Sequence, residues 1–166
     1  MFNKVVLITG MPRSGTSWLG QIVDSSPDVA YRLEPLFSYR YKNIINKESD
    51  ALSINRFLKS IYLTTDEFIC QTESRSIGRY PSYHKNESPS VLAIKTTRHH
   101  ELLSKYLRCI DDLEVVSIVR HPCAVINSWI STDKEFKDKG CSVAIDWKSG
   151  VCRKDGIGES WGLMTG

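Results

Sequence analysis

The sequence predicts an α/β protein with a P-loop-like three-layer fold, in which a central parallel β-sheet is flanked by helices. Residues 5–8 are a continuous apolar run, which is typical of a strand buried on both faces of a parallel sheet, and residues 115–119 form a second, nearly continuous apolar run that is expected to be a strand. Each run leads through a turn into a segment whose apolar residues have helical spacing. In the first case the turn is glycine-rich and extends from Gly10 to Gly15.

The first half of the chain is predicted to contain two strands and two helical regions. The strand at residues 5–8 is expected in the centre of the sheet, and residues 16–23 form the helix after the glycine turn. Residues 29–33 are expected to form a short strand that ends at Glu34, because the following proline restrains Glu34 to extended geometry. Residues 36–63 are predicted to be mostly helical.

The second half is predicted to contain the remaining two strands. A region rich in serine, arginine and proline separates them from the first half and is interpreted as a loop or lid. After the helix that begins at Pro122 the apolar periodicity weakens, which indicates an irregular tail. The predicted elements are the loop at 72–89, a strand at 91–94, a helix at 99–107, a strand at 115–119, a helix from Pro122 and the tail at 132–166.

Length and composition predict one globular domain over residues 1–166, with a core at 1–131 that carries the motifs described below. The chain is 41% hydrophobic and 25% charged, which is ordinary for a folded globular protein. The net charge is only +3, from 22 basic and 19 acidic residues, which is too mild a balance for a nucleic-acid-binding protein. We therefore expect no nucleic-acid partner.

The cysteines and the amino terminus indicate a cytoplasmic protein without a transmembrane segment. Five cysteines are scattered without C-x-x-C spacing, which favours reduced thiols over a disulfide framework or a zinc site. In a secreted protein a Cys141–Cys152 pair would be the alternative. The first apolar run is too brief for a signal peptide or a membrane span.

Residues 10–17 have the spacing of a loop that holds phosphate groups, G-x-x-x-x-G followed by Thr16 and Ser17. In a nucleoside-triphosphate loop a lysine follows the second glycine, whereas this chain has Thr16, and Arg13 is the cation inside the loop. The strand at 115–119 ends in Arg120 rather than in an acidic residue that would hold Mg²⁺. The pattern indicates an anion site that requires no metal.

The segment Pro12-Arg13-Ser14-Gly15-Thr16-Ser17-Trp18 resembles the 5′-phosphosulfate loop of sulfotransferases that use 3′-phosphoadenosine 5′-phosphosulfate (PAPS). The resemblance implies donor binding by this loop. It also implies a catalytic role for the arginine, which contacts the moving sulfuryl group in that family. This role is chemically sensible because negative charge grows on the departing phosphate. The implied donor-binding residues are Arg13, Ser14, Gly15, Thr16, Ser17 and Trp18.

A second segment, residues 116–129, resembles the 3′-phosphate element of the same family, in which a strand, an arginine and a helix carrying a serine follow one another. Arg120 and Ser128 correspond to that arginine and serine. An arginine at the end of a strand offers a two-pronged donor to phosphate, and a hydroxyl on the adjoining helix adds another. These two residues complete the expected PAPS site.

The acceptor hydroxyl must lose a proton, and two kinds of residue compete for the role of base. Glu34 lies in a Glu-Pro-Leu segment that resembles one in carbohydrate sulfotransferases, and it is the preferred candidate. His99 and His100 are the alternatives, since the histidine that small-molecule sulfotransferases place two positions after Lys95 is replaced by threonine here. Lys95 is expected to stabilise the charge of the sulfuryl group.

The resemblance therefore implies transfer of a sulfuryl group from PAPS to a hydroxyl on a carbohydrate or glycolipid, with adenosine 3′,5′-bisphosphate (PAP) as the product. Family members are usually longer after the second motif, so the chain is expected to be truncated or a minimal member. Two other readings remain open. One is a catalytically deficient PAP-binding fragment, and the other is a P-loop kinase or NTPase.

Overall fold

The computed structural model describes residues 2–131. The tail expected at 132–166, including Cys141 and Cys152, lies outside the described residues. The described part contains β1 (Lys4–Gly10), α1 (Thr16–Asp24), β2 (Val29–Leu33), α2 (Ala51–Tyr62), α3 (Glu67–Cys70), α4 (Thr72–Ser76), β3 (Val91–Thr96), α5 (Leu103–Cys109), β4 (Leu113–Ile118) and α6 (Pro122–Ile130).

The four strands form one sheet in the order β2-β3-β1-β4, and every neighbouring pair is parallel. Ile8 of β1 lies opposite Lys95 of β3, and Gly10 lies opposite Ile118 of β4. The predicted α/β fold is thereby confirmed, with β1 and β3 sharing the interior of the sheet. Since all strands run the same way, their carboxyl ends meet at one edge, where α/β proteins bind their ligands.

Helices cover both faces of the sheet because the side chains of each strand alternate. Val5 and Leu7 point to one face and pack in a core with Ile54 of α2 and Tyr106 of α5. On the other face Ile8 packs in a cluster with residues of α1. This alternation produces the three layers expected from the sequence.

Residues 36–63 are not mostly helical, which corrects the sequence-based prediction. A short 3₁₀ turn, Pro35–Phe37, is followed by irregular turns, and a regular helix begins only at Ala51. The Asn46 side chain explains part of the difference, since its Oδ1 accepts hydrogen bonds from the backbone amides of Glu48 and Ser49, each at 3.0 Å. Such side-chain bonds compete with the hydrogen bonds of a helix.

Two other segments differ from the expectation in detail. The region at 72–89, interpreted as a loop, begins with the short helix α4. The helix predicted at 99–107 is divided into a 3₁₀ turn, His100–Leu102, and α5. His99 precedes this turn with a φ of 59°, a left-handed conformation that a regular helix does not contain.

A buried ion-pair cluster attaches residues 72–89 to α1. The Asp24 side chain is 2% exposed, and its carboxylate lies 2.5 Å from Arg75 Nη2 and 2.8 Å from Lys85 Nζ. Lys85 also donates to the Asp24 and Ser26 carbonyl oxygens. The segment predicted as a loop or lid is therefore anchored at two points to the helix that follows the glycine turn.

Candidate functional site

The glycine turn connects β1 to α1 at the carboxyl edge of the sheet. Arg13 has a φ of 65° and Gly15 a φ of 105°, so the chain reverses through left-handed conformations before α1 begins at Thr16. The Ser14 hydroxyl donates to the Met11 carbonyl oxygen at 2.5 Å and stabilises this turn. The first amides of a helix have no hydrogen-bond partner within the helix, and α1 begins directly after this turn, which is the usual environment for a bound phosphate.

Gly10 is required by the close approach of β4. Its φ is 152°, and a methyl group added at this position would lie 2.5 Å from the Ile118 carbonyl oxygen. It would also lie 3.1 Å from the Ser14 hydroxyl. Glycine is therefore needed both for strand pairing and for the entry into the phosphate-type loop.

We expect Gly10→Ala to lower the free energy of unfolding by about 2 kcal/mol, because the methyl overlaps backbone that cannot move away. Gly78→Ala is the matched control, since Gly78 also has a positive φ, 72°, but no atom lies within 4 Å of an added methyl. The free energy of unfolding of that variant should fall by only about 1 kcal/mol, because only backbone strain is added. Urea unfolding measures both losses, and equal losses would contradict the steric explanation.

The β4–α6 segment folds against the glycine turn. Arg120 Nη1 donates a hydrogen bond of 2.8 Å to the Arg13 carbonyl oxygen, across 107 positions of sequence. Arg13 Nε in turn donates to the Ser128 hydroxyl at 3.2 Å. The three side chains that the sequence assigned to two separate motifs therefore form one connected group.

This group lines a cleft of about 250 Å³ at the carboxyl edge, between the glycine turn and the segment that contains Arg120 and Ser128 of α6. In the described part of the chain, two arginines and no carboxylate contribute to its lining, so the cleft suits an anion. Ser14 and Trp18 do not line the cleft. The Ser14 hydroxyl is hydrogen-bonded within the turn, and Trp18 is 70% exposed on α1. The lining residues are Arg13, Gly15, Thr16, Ser17, Arg120 and Ser128.

Glu34 and Lys95 form a buried ion pair at the ends of β2 and β3. Lys95 Nζ lies 3.0 Å from Glu34 Oε1, and the two side chains are 7% and 6% exposed. The same oxygen accepts hydrogen bonds from the Thr97 amide at 2.8 Å and the Thr97 hydroxyl at 2.6 Å. Oε2 lies 3.1 Å from the Thr96 hydroxyl, which is also within hydrogen-bond distance of the Arg98 carbonyl oxygen at 2.9 Å. Nothing in the sequence pattern around Thr97 indicated these contacts, which depend on β2 lying beside β3.

These contacts keep Glu34 ionised. Burial by itself would raise the pKa of the Glu34 carboxyl, but the charge of Lys95 and the hydrogen bonds from Thr97 and Lys95 outweigh burial and lower this pKa. Glu34 is not in the extended geometry predicted from the following proline: its φ is 40°, and its carbonyl oxygen accepts a hydrogen bond of 2.9 Å from the Phe37 amide in the turn that begins here. This left-handed conformation is costly for a non-glycine residue. Strain of this kind is often found at functional sites.

The ion pair lies on the same edge as the cleft without lining it. Lys95 is opposite Ile8 on β1, the strand that enters the glycine turn, and opposite Leu33 on β2. His99 and His100 line a separate cavity, which lies against the core on the α5 side of the sheet. His99 Nδ1 is 3.3 Å from Glu101 Oε1.

Within residues 2–131, no three histidine, cysteine or acidic side chains are grouped so as to hold a metal ion. Nor does any helix in this range have the length and apolar character needed to cross a membrane. Cys70, Cys109 and Cys123 are free thiols.

Comparison with known proteins adds one finding. A family model described as the sulfotransferase family matches residues 6–150. The matched region includes the glycine turn, the Glu34–Lys95 pair and the β4–α6 segment. No curated protein sequence matches the chain.

Proposed function

The chain belongs to the sulfotransferase family, and we propose that it transfers a sulfuryl group from PAPS to a hydroxyl on a carbohydrate or glycolipid. One observation carries the proposal: Arg13, Arg120 and Ser128 converge on a single cleft, and no carboxylate among residues 2–131 lines it. A cleft of this charge suits a donor that carries phosphate and sulfate groups.

We assign the two ends of the donor to the two segments of the cleft. The glycine turn and the first amides of α1 bind the 5′-phosphosulfate, because a helix amino terminus favours a negative charge. Arg120 and Ser128 bind the 3′-phosphate, and Arg120 keeps further N–H donors besides the one that it gives to Arg13. A separate 3′-phosphate site distinguishes this donor from ATP.

In the transfer step the acceptor oxygen forms a bond to sulfur as the bond between sulfur and the 5′-phosphate oxygen breaks. The hydroxyl proton leaves with a base, and PAP is the product. Arg13 acts on the charge that develops on the departing phosphate, at the position where a fixed cation is most effective. The residues proposed for this chemistry are Arg13, Lys95 and Glu34.

The surroundings of Glu34 favour a positioning role over the role of base predicted from the sequence. A base works best when its pKa lies near the operating pH, whereas the pKa of Glu34 is lowered and Oε1 accepts three hydrogen bonds. We propose that Glu34 holds the Lys95 ammonium group at the end of β3. Glu34 as the base stays a prediction.

A double-mutant cycle on kcat separates these two roles. If Glu34 acts through Lys95, the double variant Glu34→Gln/Lys95→Met should lose no more activity than Lys95→Met alone. If Glu34 is itself the base, its removal should cost a further factor of about 100 or more. The double variant is expected to fold, because replacing both members of a buried ion pair leaves no unpaired charge.

The transfer activity itself is tested with PAPS that carries labelled sulfate and a mixture of neutral and acidic sugars and glycolipids. We expect labelled product with PAPS and no requirement for Mg²⁺. The kinase reading predicts instead a product that depends on ATP and Mg²⁺. The PAP-binding fragment reading predicts PAP binding without any product. A cytoplasmic location belongs to the same proposal, and the free thiols are compatible with it.

A further inference from the structure

A second, differently charged groove lies at the β2 end of the carboxyl edge. It has a volume of about 350 Å³ and is formed by α3, α4 and the residues that follow them. Leu33, the last residue of β2 and the neighbour of Glu34, contributes to its lining. Its principal side chains are Glu67, Phe68, Gln71, Glu73, Arg79 and Tyr80.

The groove is held in a fixed position relative to the donor cleft. Gln71 joins α3 to α4, is 5% exposed and has a left-handed φ of 58°. Its Oε1 accepts a hydrogen bond of 2.9 Å from Gln21 Nε2 on α1, the helix that begins at the glycine turn. Arg75 of α4 is bound to the buried Asp24 on the same helix. One helix therefore supports both the cleft and the groove.

The chemistry of the groove fits an uncharged sugar. Phe68 is 44% exposed, and its ring centroid lies 6.0 Å from that of Phe37, which is 47% exposed. Aromatic faces of this kind pack against the C–H face of a pyranose ring, and nearby carboxylates accept hydrogen bonds from its hydroxyl groups. An anionic acceptor is disfavoured, because the two carboxylates of Glu67 and Glu73 outnumber the one cation in the lining, Arg79. A wholly apolar acceptor would exclude water from the carboxylates of Glu67 and Glu73 without offering them a hydrogen-bond donor, which is costly.

The distance between the two sites sets a minimum length for the acceptor. β3 lies between β2 and β1, so the end of β2 is about 10 Å from the glycine turn at the usual spacing of strands. One pyranose ring is shorter than this. A sugar whose hydroxyl meets the sulfuryl group at the glycine turn must therefore carry a second unit in order to reach the groove.

We propose that this groove binds the second unit of an uncharged acceptor that contains at least two linked sugars. The proposal rests on the proposed function for the position of the reacting hydroxyl. The binding of the second sugar is a property of the groove itself and can be measured without transfer.

The probes are the neutral disaccharides lactose, maltose, cellobiose and trehalose, with glucose and galactose for comparison. Binding is measured by ligand-observed NMR with and without PAP. We expect at least one disaccharide to bind more tightly than either monosaccharide. Phe68→Ala and Glu73→Gln should each weaken that binding about tenfold, since each removes a ring face or a charged acceptor. Ile77→Ala, a change at an exposed apolar residue of the same segment outside the groove lining, should leave it unchanged.

The outcomes separate this proposal from the proposed function. Failure of PAP to bind would contradict the donor site, while disaccharide binding that depends on Phe68 would still support the groove. Normal PAP binding with no bound disaccharide, or with affinity unaffected by both groove variants, would overturn the groove proposal alone. Preference for a disaccharide that contains a uronic acid would overturn the assignment of an uncharged acceptor.

Discussion

Replacing Arg13 by alanine should lower kcat by a factor of about 100 to 1,000, because this residue is proposed to stabilise the charge that forms on the departing phosphate. The side chain lies in the cleft, and its Nε donates to Ser128. Binding of PAP should change by only a few-fold, since the loop amides and Arg120 remain. Steady-state transfer and PAP titration on the same preparation measure the two effects.

Arg13→Lys is the matched control, because it keeps the positive charge and loses the hydrogen bond to Ser128. We expect it to recover most of the rate lost in Arg13→Ala. If both variants lost PAP affinity and rate by the same factor, Arg13 would be a binding residue and its assignment to the transfer step would be wrong.

Replacing Asp24 by alanine should lower the free energy of unfolding by about 3–5 kcal/mol, since it leaves Arg75 and Lys85 beside an empty, buried position. Asp24 is 2% exposed, whereas Arg75 is 18% and Lys85 29% exposed. Urea unfolding followed by circular dichroism measures the loss. The same variant should release residues 72–89 from α1 and so disturb the acceptor groove.

An exposed aspartate provides the control for this second prediction. Asp111→Ala removes the same charge from the surface between α5 and β4 and should change stability by less than about 0.5 kcal/mol. A loss at Asp24 as small as the loss at Asp111 would mean that the ion-pair cluster does not hold residues 72–89 in place.

The fold was largely predictable because buried parallel strands carry a simple signal. The apolar runs at 5–8 and 91–94 both fall within strands of the sheet, and the glycine turn marks the start of α1. The prediction of helix for residues 36–63 was wrong, because side-chain hydrogen bonds such as those of Asn46 end helical structure without interrupting the apolar pattern.

The residue types of the candidate site were predictable from the sequence, whereas the contacts between them were not. The residue types at Arg13, Arg120 and Ser128 indicated phosphate chemistry, but their mutual hydrogen bonds depend on β4 lying beside β1. The Glu34–Lys95 pair likewise depends on β2 lying beside β3, and strand order is not a local property of the sequence. Ion pairs and grooves between distant segments therefore required the structure.

Calorimetric titration of the purified chain with PAP tests the central claim most directly. We expect a dissociation constant of about 1 μM, which corresponds to a binding free energy of about −8 kcal/mol. Arg120→Ala should weaken binding at least about tenfold, because it removes charged hydrogen bonds to phosphate. Arg108→Ala, at an exposed position on α5, should leave binding unchanged. Absence of PAP binding, or binding of ATP with Mg²⁺ alone, would contradict the account.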